Sequence, residues 1–290
     1  ALDDACQNIA VAGRTGLAHY NIDSRRWRLF GNETQEKDFI VTGGLLWWKD
    51  RIIMGCYNLA TPKDEIRIYP RSEKLDTSFA KILTSIDAQV LLINILGDQL
   101  IVFSADNVIS VYNLRSKGSP SNPSNLDVER VRTYDLSSIP GLNFHPASVV
   151  LVGLSTLRLE ERHRNTNAAG ISVSGSRGDS YFRETSPADN KHILHRQIST
   201  YDLPSIIINI CGRVVMLQQY HGGDNGMSQT GRESPSKQLS LPTVLASGCE
   251  TIWFPRDTNE EKPHLTASLW LYCGVHGMRV WLPVFPRHGD

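Results

Sequence analysis

The feature that most constrains the fold of this chain is a short apolar hairpin that recurs along the sequence. Residues 45–48 (LLWW) and 52–54 (IIM) flank a polar KDR triplet, and each apolar run is too short for a helix. The same design returns within residues 90–103 and 206–217, where a glycine-containing turn separates two apolar runs. Such segments predict pairs of buried antiparallel strands joined by tight turns.

Alternating strands that end in tyrosine follow the first two hairpins. Residues 65–69 read EIRIY and residues 108–112 read VISVY, a period of two that buries one face of a strand. Tyr69 and Tyr112 are 43 positions apart, which lies within the roughly 40 to 50 residues of one propeller blade. The sequence therefore predicts an all-β fold, a WD-repeat-like β-propeller portion built from blades of four antiparallel strands.

Grouping the strands by this period gives about five blades or partial blades, with very little helix. The first three follow one another closely, and their approximate bounds are up to Phe30, residues 39–86 and residues 89–136. The fourth is expected to open at Pro146 and to close with residues 193–201, and the fifth to open at Ser205 and end near residue 282.

Three polar insertions interrupt this order, at about residues 115–127, 160–190 and 219–237. They are rich in serine, asparagine, glycine and charged residues. Such segments bury too little apolar surface to offset the entropy lost on ordering. The insertions are therefore predicted to be long disordered loops.

Composition excludes several classes of protein. The 290 residues are 40% hydrophobic, enough for a sizeable core, and 30 basic residues balance 30 acidic ones. The absence of net basic charge argues against a nucleic-acid partner. The apolar runs fall far short of the roughly 20 residues of a membrane helix. Five widely spaced cysteines without a C-x-x-C pair predict buried thiols in a reducing, cytoplasmic compartment.

Motifs that carry chemistry are absent from the sequence. The chain has no phosphate-binding loop, dinucleotide fingerprint, nucleophile elbow or H-E-x-x-H, so no cofactor is expected. His192 and His195 lack a nearby third ligand, which argues against a metal site. Asp50, Asp98 and Asp106 lie at predicted turns, where short carboxylates usually cap backbone amides. A catalytic pair assembled from distant loops stays open at this point.

Long motifs near both ends of the chain point to a family. They are RRWRLFGNETQEKDF at residues 25–39, VTGGLLWW at 41–48, MGCYN at 54–58 and LWLYCGVHGMRVWLPVFPR at 269–287. These segments resemble the Ric-one family, the propeller-bearing subunit of an exchange factor for Rab-six-type Golgi GTPases.

The resemblance also has implications for domain organisation. Ric-one proteins are several times longer, with an amino-terminal propeller region and a carboxy-terminal helical region. Residues 1–287 correspond to the later part of the propeller region, and residues 288–290 to the start of a link to the helical region. The chain is thus expected to be a fragment. A partial propeller exposes strand edges and apolar blade faces, which predicts poor solubility in isolation.

The resemblance implies a non-enzymatic role in membrane traffic. A Ric-one subunit pairs with an Rgp-one-type partner to promote GDP release from a Rab-six-type GTPase in endosome-to-Golgi retrograde transport. The complex is cytoplasmic and peripheral at Golgi membranes. An exchange factor acts by preferring the nucleotide-free GTPase, which requires no bond-making residue. Two alternatives are a traffic scaffold or coat-type propeller without exchange activity, and an enzyme with polar residues converging on the propeller channel.

Two sequence features are candidate contacts for a partner. The polar corner at residues 31–38 is distinctive, although it is also typical of a solvated loop between blades. Exposed tryptophan often anchors interfaces, but consecutive strand residues face opposite ways, so at most one of Trp47 and Trp48 is expected to be exposed. The candidate contact residues are Arg25, Arg26, Glu33, Glu36, Lys37 and Trp48.

Overall fold

The described part of the chain forms five antiparallel sheets that follow one another in chain order. A computed structural model describes residues 1–116, 125–155, 205–218, 239, 241–253 and 269–281. Within these residues the predicted all-β propeller architecture is confirmed. The described part of the chain contains no helix that is both long and apolar enough to cross a membrane. The predicted insertions at 160–190 and 219–237 lie outside the described residues.

The strands of each sheet are neighbours in sequence. Sheet 1 contains β1 (Asn8–Ala12), β2 (Leu17–Asn21) and β3 (Arg26–Arg28). Sheet 2 contains β4 (Phe39–Trp48), β5 (Arg51–Asn58), β6 (Lys63–Pro70) and β7 (Lys81–Leu83). Sheet 3 contains β8 (Val90–Leu96), β9 (Gln99–Ser104), β10 (Val108–Ser116) and β11 (Leu126–Asp135).

The remaining strands form two further sheets. Sheet 4 contains β12 (Val149–Ser155), β13 (Ser205–Ile210), β14 (Arg213–Leu217) and β15 (Thr243–Ala246). Sheet 5 contains β16 (Thr251–Trp253), β17 (Leu269–Tyr272) and β18 (Met278–Trp281). The α-helix α1 (Glu33–Lys37) connects sheets 1 and 2.

Strand pairing corrects the predicted boundary between the fourth and fifth blades. Ser205 does not open a new blade, because β13 pairs with β12 in the register Ile206↔Leu154. Sheet 4 continues to Ala246, and sheet 5 begins at Thr251. The prediction failed because it joined strands that are close in sequence, whereas pairing here spans a long insertion. Residues 193–201, predicted to close the fourth blade, lie outside the described residues.

The first predicted insertion is shorter than residues 115–127. Strands β10 and β11 stay paired as far as Ser116↔Leu126, and Arg115↔Asp127 is part of the same ladder. Both ends of the predicted loop therefore belong to strands. These strand residues were assigned to a loop because their side chains are polar. An outer strand, however, needs few apolar residues.

Among the described residues the core consists of four apolar clusters, one between each pair of successive sheets. Alternate residues of β9 show how one strand contributes side chains to two of these clusters. Leu100 and Val102 join the cluster shared with sheet 2, whereas Ile101 and Phe103 join the cluster shared with sheet 4. Because both faces of sheet 3 are covered, its inner strands are apolar at nearly every position.

The contact between sheets 2 and 3 depends on two glycines. Val90 of β8 lies so close to β4 and β5 that a Cβ on Gly43 would be 2.3 Å from the Val90 Cγ1 atom. A Cβ on Gly55 would be 2.8 Å from the same atom. The β4–β5 register shifts between Val41 and Gly44, which is the signature of a bulge beside this contact. The two glycines thus set the distance between the sheets.

The loops lie at two opposite ends of the sheets. Strands alternate in direction, so loops after the first and third strands of a four-stranded sheet share one end. We call this end the Asp98 end, because Asp98 lies in the β8–β9 turn. The opposite end carries α1, and we call it the α1 end.

Gly43→Ala is expected to weaken the contact between sheets 2 and 3. The new methyl group clashes with Val90, and overpacking of this kind costs about 1–3 kcal/mol. Hydrogen exchange of peptides from β4 and β8 in the full-length protein measures the effect, because exchange reports local opening.

The double variant Gly43→Ala/Val90→Ala should recover part of the lost protection, since the second change removes Cγ1, the atom nearest to the new methyl group. Gly31→Ala is the matched control, because a Cβ at Gly31 meets nothing within 4 Å. Equal exchange in Gly43→Ala and Gly31→Ala would contradict the packing described for Gly43.

Candidate interaction surface

The polar corner between sheets 1 and 2 forms one turn of helix. The Asn32 side chain caps α1 by accepting a hydrogen bond of 2.9 Å from the Thr34 amide. Glu33 and Lys37 form an i,i+4 ion pair on its exposed surface. The hydrogen bond and charge of Lys37 lower the pKa of Glu33. The connection between sheets 1 and 2 therefore contains one helical turn, and Asn32 followed by Glu33 is the sequence signal for its start.

Contacts with neighbouring segments hold α1 in place. The Gln35 side-chain oxygen accepts a 3.1 Å hydrogen bond from the Thr77 amide. The Gly16 amide donates to the Phe39 carbonyl at 3.2 Å, and a Cβ at Gly16 would be 2.5 Å from the Cγ of Glu36. The helix thus presents charged side chains from a fixed position, even though none of its residues is buried.

The structure separates Arg25 and Arg26 from α1. Arg25 lies in the β2–β3 turn with a φ of 53°, and α1 follows the opposite end of β3. Both arginines are exposed. Because these residues are close in sequence, they were expected to form one charged corner. In the structure they form two charged patches, one at each end of sheet 1.

Arg28 has a structural role that the sequence did not reveal. One of its guanidinium nitrogens donates to three successive backbone carbonyls, those of Arg71, Ser72 and Glu73, at 2.9, 2.7 and 3.0 Å. These carbonyls belong to the β6–β7 connection, so Arg28 links sheet 1 to sheet 2. Nothing in the sequence pattern signals this, because the acceptors are backbone atoms 43 to 45 positions away.

The structure buries both Trp47 and Trp48. Their exposed fractions are 2% and 3%, with Trp47 in the cluster facing sheet 1 and Trp48 in the cluster facing sheet 3. The two rings do face opposite ways, as predicted, but each face of sheet 2 is covered. Trp48 therefore lacks the exposed ring on which its candidacy as a contact residue was based.

Trp48 instead organises a charged group at the Asp98 end. Its indole N–H donates to the Asp98 carboxylate at 3.0 Å, and Lys49 Nζ lies 2.8 Å from the same oxygen. The Lys49 ammonium is also 4.8 Å from the centre of the Trp48 ring. Burial raises the pKa of Asp98, but the hydrogen bonds from Lys49 and Trp48 and the charge of Lys49 outweigh it and hold the pKa below its usual range.

The turns of sheets 2 and 3 meet at this group and line a cleft of about 280 Å³ together with the chain's first turn. Its lining includes Asp4, Trp48, Lys49, Gly97 and Asp98. The Asp98 carboxylate binds side chains here, whereas the predicted role was capping of a backbone amide. Asp106 does make the predicted type of contact, accepting from the Val108 amide at 3.4 Å.

Other buried polar groups near the candidates are structural. Arg67 pairs with Glu65 inside sheet 2 and lies 4.5 Å from the centre of the Phe39 ring. His19 packs edge-on against Trp47, with the ring centres 6.0 Å apart. Across the described ranges, no group of three or more His, Cys, Asp or Glu side chains could hold a metal ion.

Comparison with known proteins gives a consistent family assignment. A family model described as the RIC1 second beta propeller domain matches residues 1–290. The guanine nucleotide exchange factor subunit RIC1 is 36% identical in Mus musculus and 34% in Homo sapiens, over 99% of this chain. The chain spans 18% of the length of either relative.

A likeness to a solved structure was also found. The β-propeller domain of Cps50 (Swd1) from Myceliophteria thermophila aligns with a TM-score of 0.48 and 9% identity. The alignment covers 96% of this chain and 68% of that domain.

Acidification is expected to loosen sheet 1 through His19. Burial, followed by the charges of Arg28 and Arg71, lowers the pKa of His19 from 6.5 to about 4. The unfolded chain therefore binds more protons between these values, and stability falls as pH drops from 6.5 towards 4. The loss reaches at most about 3 kcal/mol. Hydrogen exchange of β2 peptides at pH 7 and pH 4.5, corrected for intrinsic rates, measures it.

His19→Leu should remove this pH dependence while leaving sheet 1 folded, because neither ring nitrogen of His19 has a hydrogen-bond partner to lose. The control is His276→Asn, which replaces an exposed histidine in the β17–β18 connection. This variant should show the same pH dependence of sheet 1 as the wild type. If His19→Leu were as acid-sensitive as the wild type, another group would be responsible.

Proposed function

The chain belongs to the RIC1 family, whose second β-propeller domain it matches, and we propose on this premise that it is an interaction module of a guanine-nucleotide exchange factor subunit. The observation that carries the proposal is the family match over residues 1–290. Relatives that bear the name of such a subunit align over almost the entire chain. The propeller would support exchange by holding partner proteins in position.

The proposed partners are an Rgp-one-type subunit and a Rab-six-type GTPase. The complex would act in the cytoplasm, peripherally at Golgi membranes, in retrograde vesicle transport from endosomes. Exchange needs tighter binding of the nucleotide-free GTPase than of the loaded one, and a rigid surface can supply that difference without any bond-making residue. The chain is therefore proposed to contribute binding energy and no covalent chemistry.

Helix α1 is the proposed contact surface. Its charged residues Glu33, Glu36 and Lys37 project from a backbone held by Asn32 and Gln35. A surface fixed in advance loses little conformational entropy when a partner binds. Arg25 and Arg26 form a second proposed patch at the other end of β3. Trp48 is retained only as the residue that positions Asp98.

GDP release from a Rab-six-type GTPase tests the proposal, with the full-length protein and its Rgp-one-type partner. The variant Glu33→Lys/Glu36→Lys should lower the exchange rate or the yield of the complex by at least about fivefold, the effect of losing roughly 1 kcal/mol of contact energy. The substitutions remove the Glu33–Lys37 ion pair but leave the Asn32 cap, the Gln35 hydrogen bond to Thr77 and an aliphatic side chain at position 36 beside Gly16, and these contacts are expected to hold α1.

Glu129→Lys is a matched control. Glu129 also belongs to an exposed ion pair, with Arg115, and its side chain is 57% exposed against 75% for Glu33. Exchange should be unaffected in this variant. Loss of exchange with intact assembly places the GTPase at α1, and loss of assembly places the partner subunit there.

Two other results would contradict parts of the proposal. Normal exchange and normal assembly in Glu33→Lys/Glu36→Lys would make α1 a solvated connection between blades. Absence of exchange by the wild-type complex, with assembly intact, would overturn the exchange role and favour the scaffold.

A further inference from the structure

Two free thiols lie side by side where sheet 5 meets sheet 4. Cys249 lies in the connection between β15 and β16, and Cys273 directly follows β17. Both belong to the apolar cluster between the two sheets, and their exposed fractions are 4% and 1%. They are 24 positions apart in sequence, so the pairing of β16 with β17 is what brings them together.

A bulge in the β16–β17 ladder places the two cysteines opposite each other. Thr251 is the register partner of Tyr272, and the Glu250 amide also donates to the Tyr272 carbonyl at 2.8 Å. Two residues of one strand thus face a single residue of the other, as in a β-bulge. Cys249 precedes these two residues and Cys273 follows Tyr272, so the next cross-strand position joins the two cysteines.

The side chains agree with this register. The Cys249 and Cys273 thiols are close enough to share a hydrogen bond. The Glu250 carboxylate occupies the space that a Cβ at Gly274 would need, so the residues after the two cysteines also lie against each other. Opposed residues of an antiparallel pair have Cα atoms about 4.5–5.5 Å apart, within the roughly 4.4–6.8 Å that a disulfide spans. The two sulfurs can therefore be bonded without a large movement of either strand.

We propose that Cys249 and Cys273 are a redox-sensitive modification site, at which oxidation converts the two thiols into a reversible disulfide. This inference does not depend on the exchange function. Disulfides in the cytoplasm are usually transient and redox-sensing, because the glutathione pool keeps most thiols reduced. The proposed oxidant is glutathione disulfide, which becomes abundant when that pool is oxidised.

The disulfide would form by thiol–disulfide exchange in two steps. The thiolate of one cysteine attacks a sulfur of glutathione disulfide, which forms a mixed disulfide and releases one glutathione thiolate. The second cysteine, once deprotonated, attacks the protein sulfur of the mixed disulfide, which forms the Cys249–Cys273 bond and releases the second glutathione thiolate. The two protein thiols lose two electrons and two protons, and glutathione disulfide is reduced to two molecules of glutathione.

Burial keeps the two thiols reduced until the site opens. It raises the pKa of Cys249, and the adjacent Cys273 thiol raises this pKa further, so only a small fraction of the thiol is ionised at neutral pH. Strand β16 has only three residues, and two of them are exposed. A strand this short is expected to open at a low free-energy cost, which gives the oxidant access to the thiols.

The disulfide would strengthen the contact between sheets 4 and 5. The Cys249 amide donates to the Gly212 carbonyl in the β13–β14 turn at 2.9 Å. Oxidation would thus link β17 covalently to a connection that is already anchored on sheet 4. The bond also restricts the unfolded chain, by an amount that grows with the number of residues between the two cysteines. The oxidised protein should therefore open less often at β16 and β17.

Glutathione redox buffers applied to the full-length protein test the proposal. Free thiols are blocked with N-ethylmaleimide, and peptides are analysed by mass spectrometry without reduction. The expected result is a peptide pair linked through Cys249 and Cys273, which forms at a high proportion of glutathione disulfide and is lost after addition of dithiothreitol. The incubation lasts at least about ten times the hydrogen-exchange time of the β16 peptide, so that the site has opened in every molecule.

Two other cysteines of the chain are internal references. Cys211 is exposed and should accept glutathione as a mixed disulfide. Cys56 is fully buried between sheets 1 and 2 and should stay reduced. The proposal would be overturned if Cys249 stayed reduced while Cys211 was modified, or if Cys249 formed its bond with any cysteine other than Cys273. A Cys249–Cys273 bond that appears only together with modified Cys56 would form in unfolded protein and would also overturn it.

Hydrogen exchange measures what the bond does to the fold. Peptides from β16 and β17 should exchange at least about tenfold more slowly in the oxidised wild type than in the reduced wild type. The variant Cys249→Ser/Cys273→Ser is the matched control, because its exchange should be the same at every glutathione ratio. Equal exchange in the linked and the reduced wild type would overturn the stabilising role of the bond. None of these measurements uses GDP release, so their failure is distinct from a failure of the exchange proposal.

Discussion

Packing of sheet faces against one another is the interaction on which the rest of this structure depends. Each cluster between successive sheets is built from side chains that alternate along the strands, so one strand stabilises two interfaces at once. Small residues are required where backbones approach closely, as at Gly43 beside Val90. The fold is therefore a series in which sheets 2, 3 and 4 each pack against a neighbour on both faces.

This arrangement decides where recognition can occur. Because the faces of the inner sheets are buried, the surface available to partners consists of outer strands and of the loops at the two ends. Helix α1 occupies the α1 end on a short, hydrogen-bonded connection between sheets 1 and 2. A connection that is fixed in advance loses little conformational entropy when a partner binds, which suits a binding surface.

The candidate residues illustrate what sequence reasoning could and could not provide. The hairpin around Lys49 was predicted correctly, as was the opposite orientation of Trp47 and Trp48. Burial of at least one of them was expected, but burial of both was not predicted, because it depends on sheets 1 and 3 rather than on local sequence. Arg28 was missed since its acceptors are distant carbonyls, and α1 was missed since one helical turn is too short to show a period.

The sequence by itself determined the strands, the tight turns and the propeller period, because these depend on residues a few positions apart. It also carried the family motifs. Only the tertiary structure decided that Ser205–Ile210 pairs with Val149–Ser155 across a long insertion, and that Arg25 and α1 lie at opposite ends of sheet 1. The physical reason is that burial and pairing are set by neighbours in space, which local patterns do not specify.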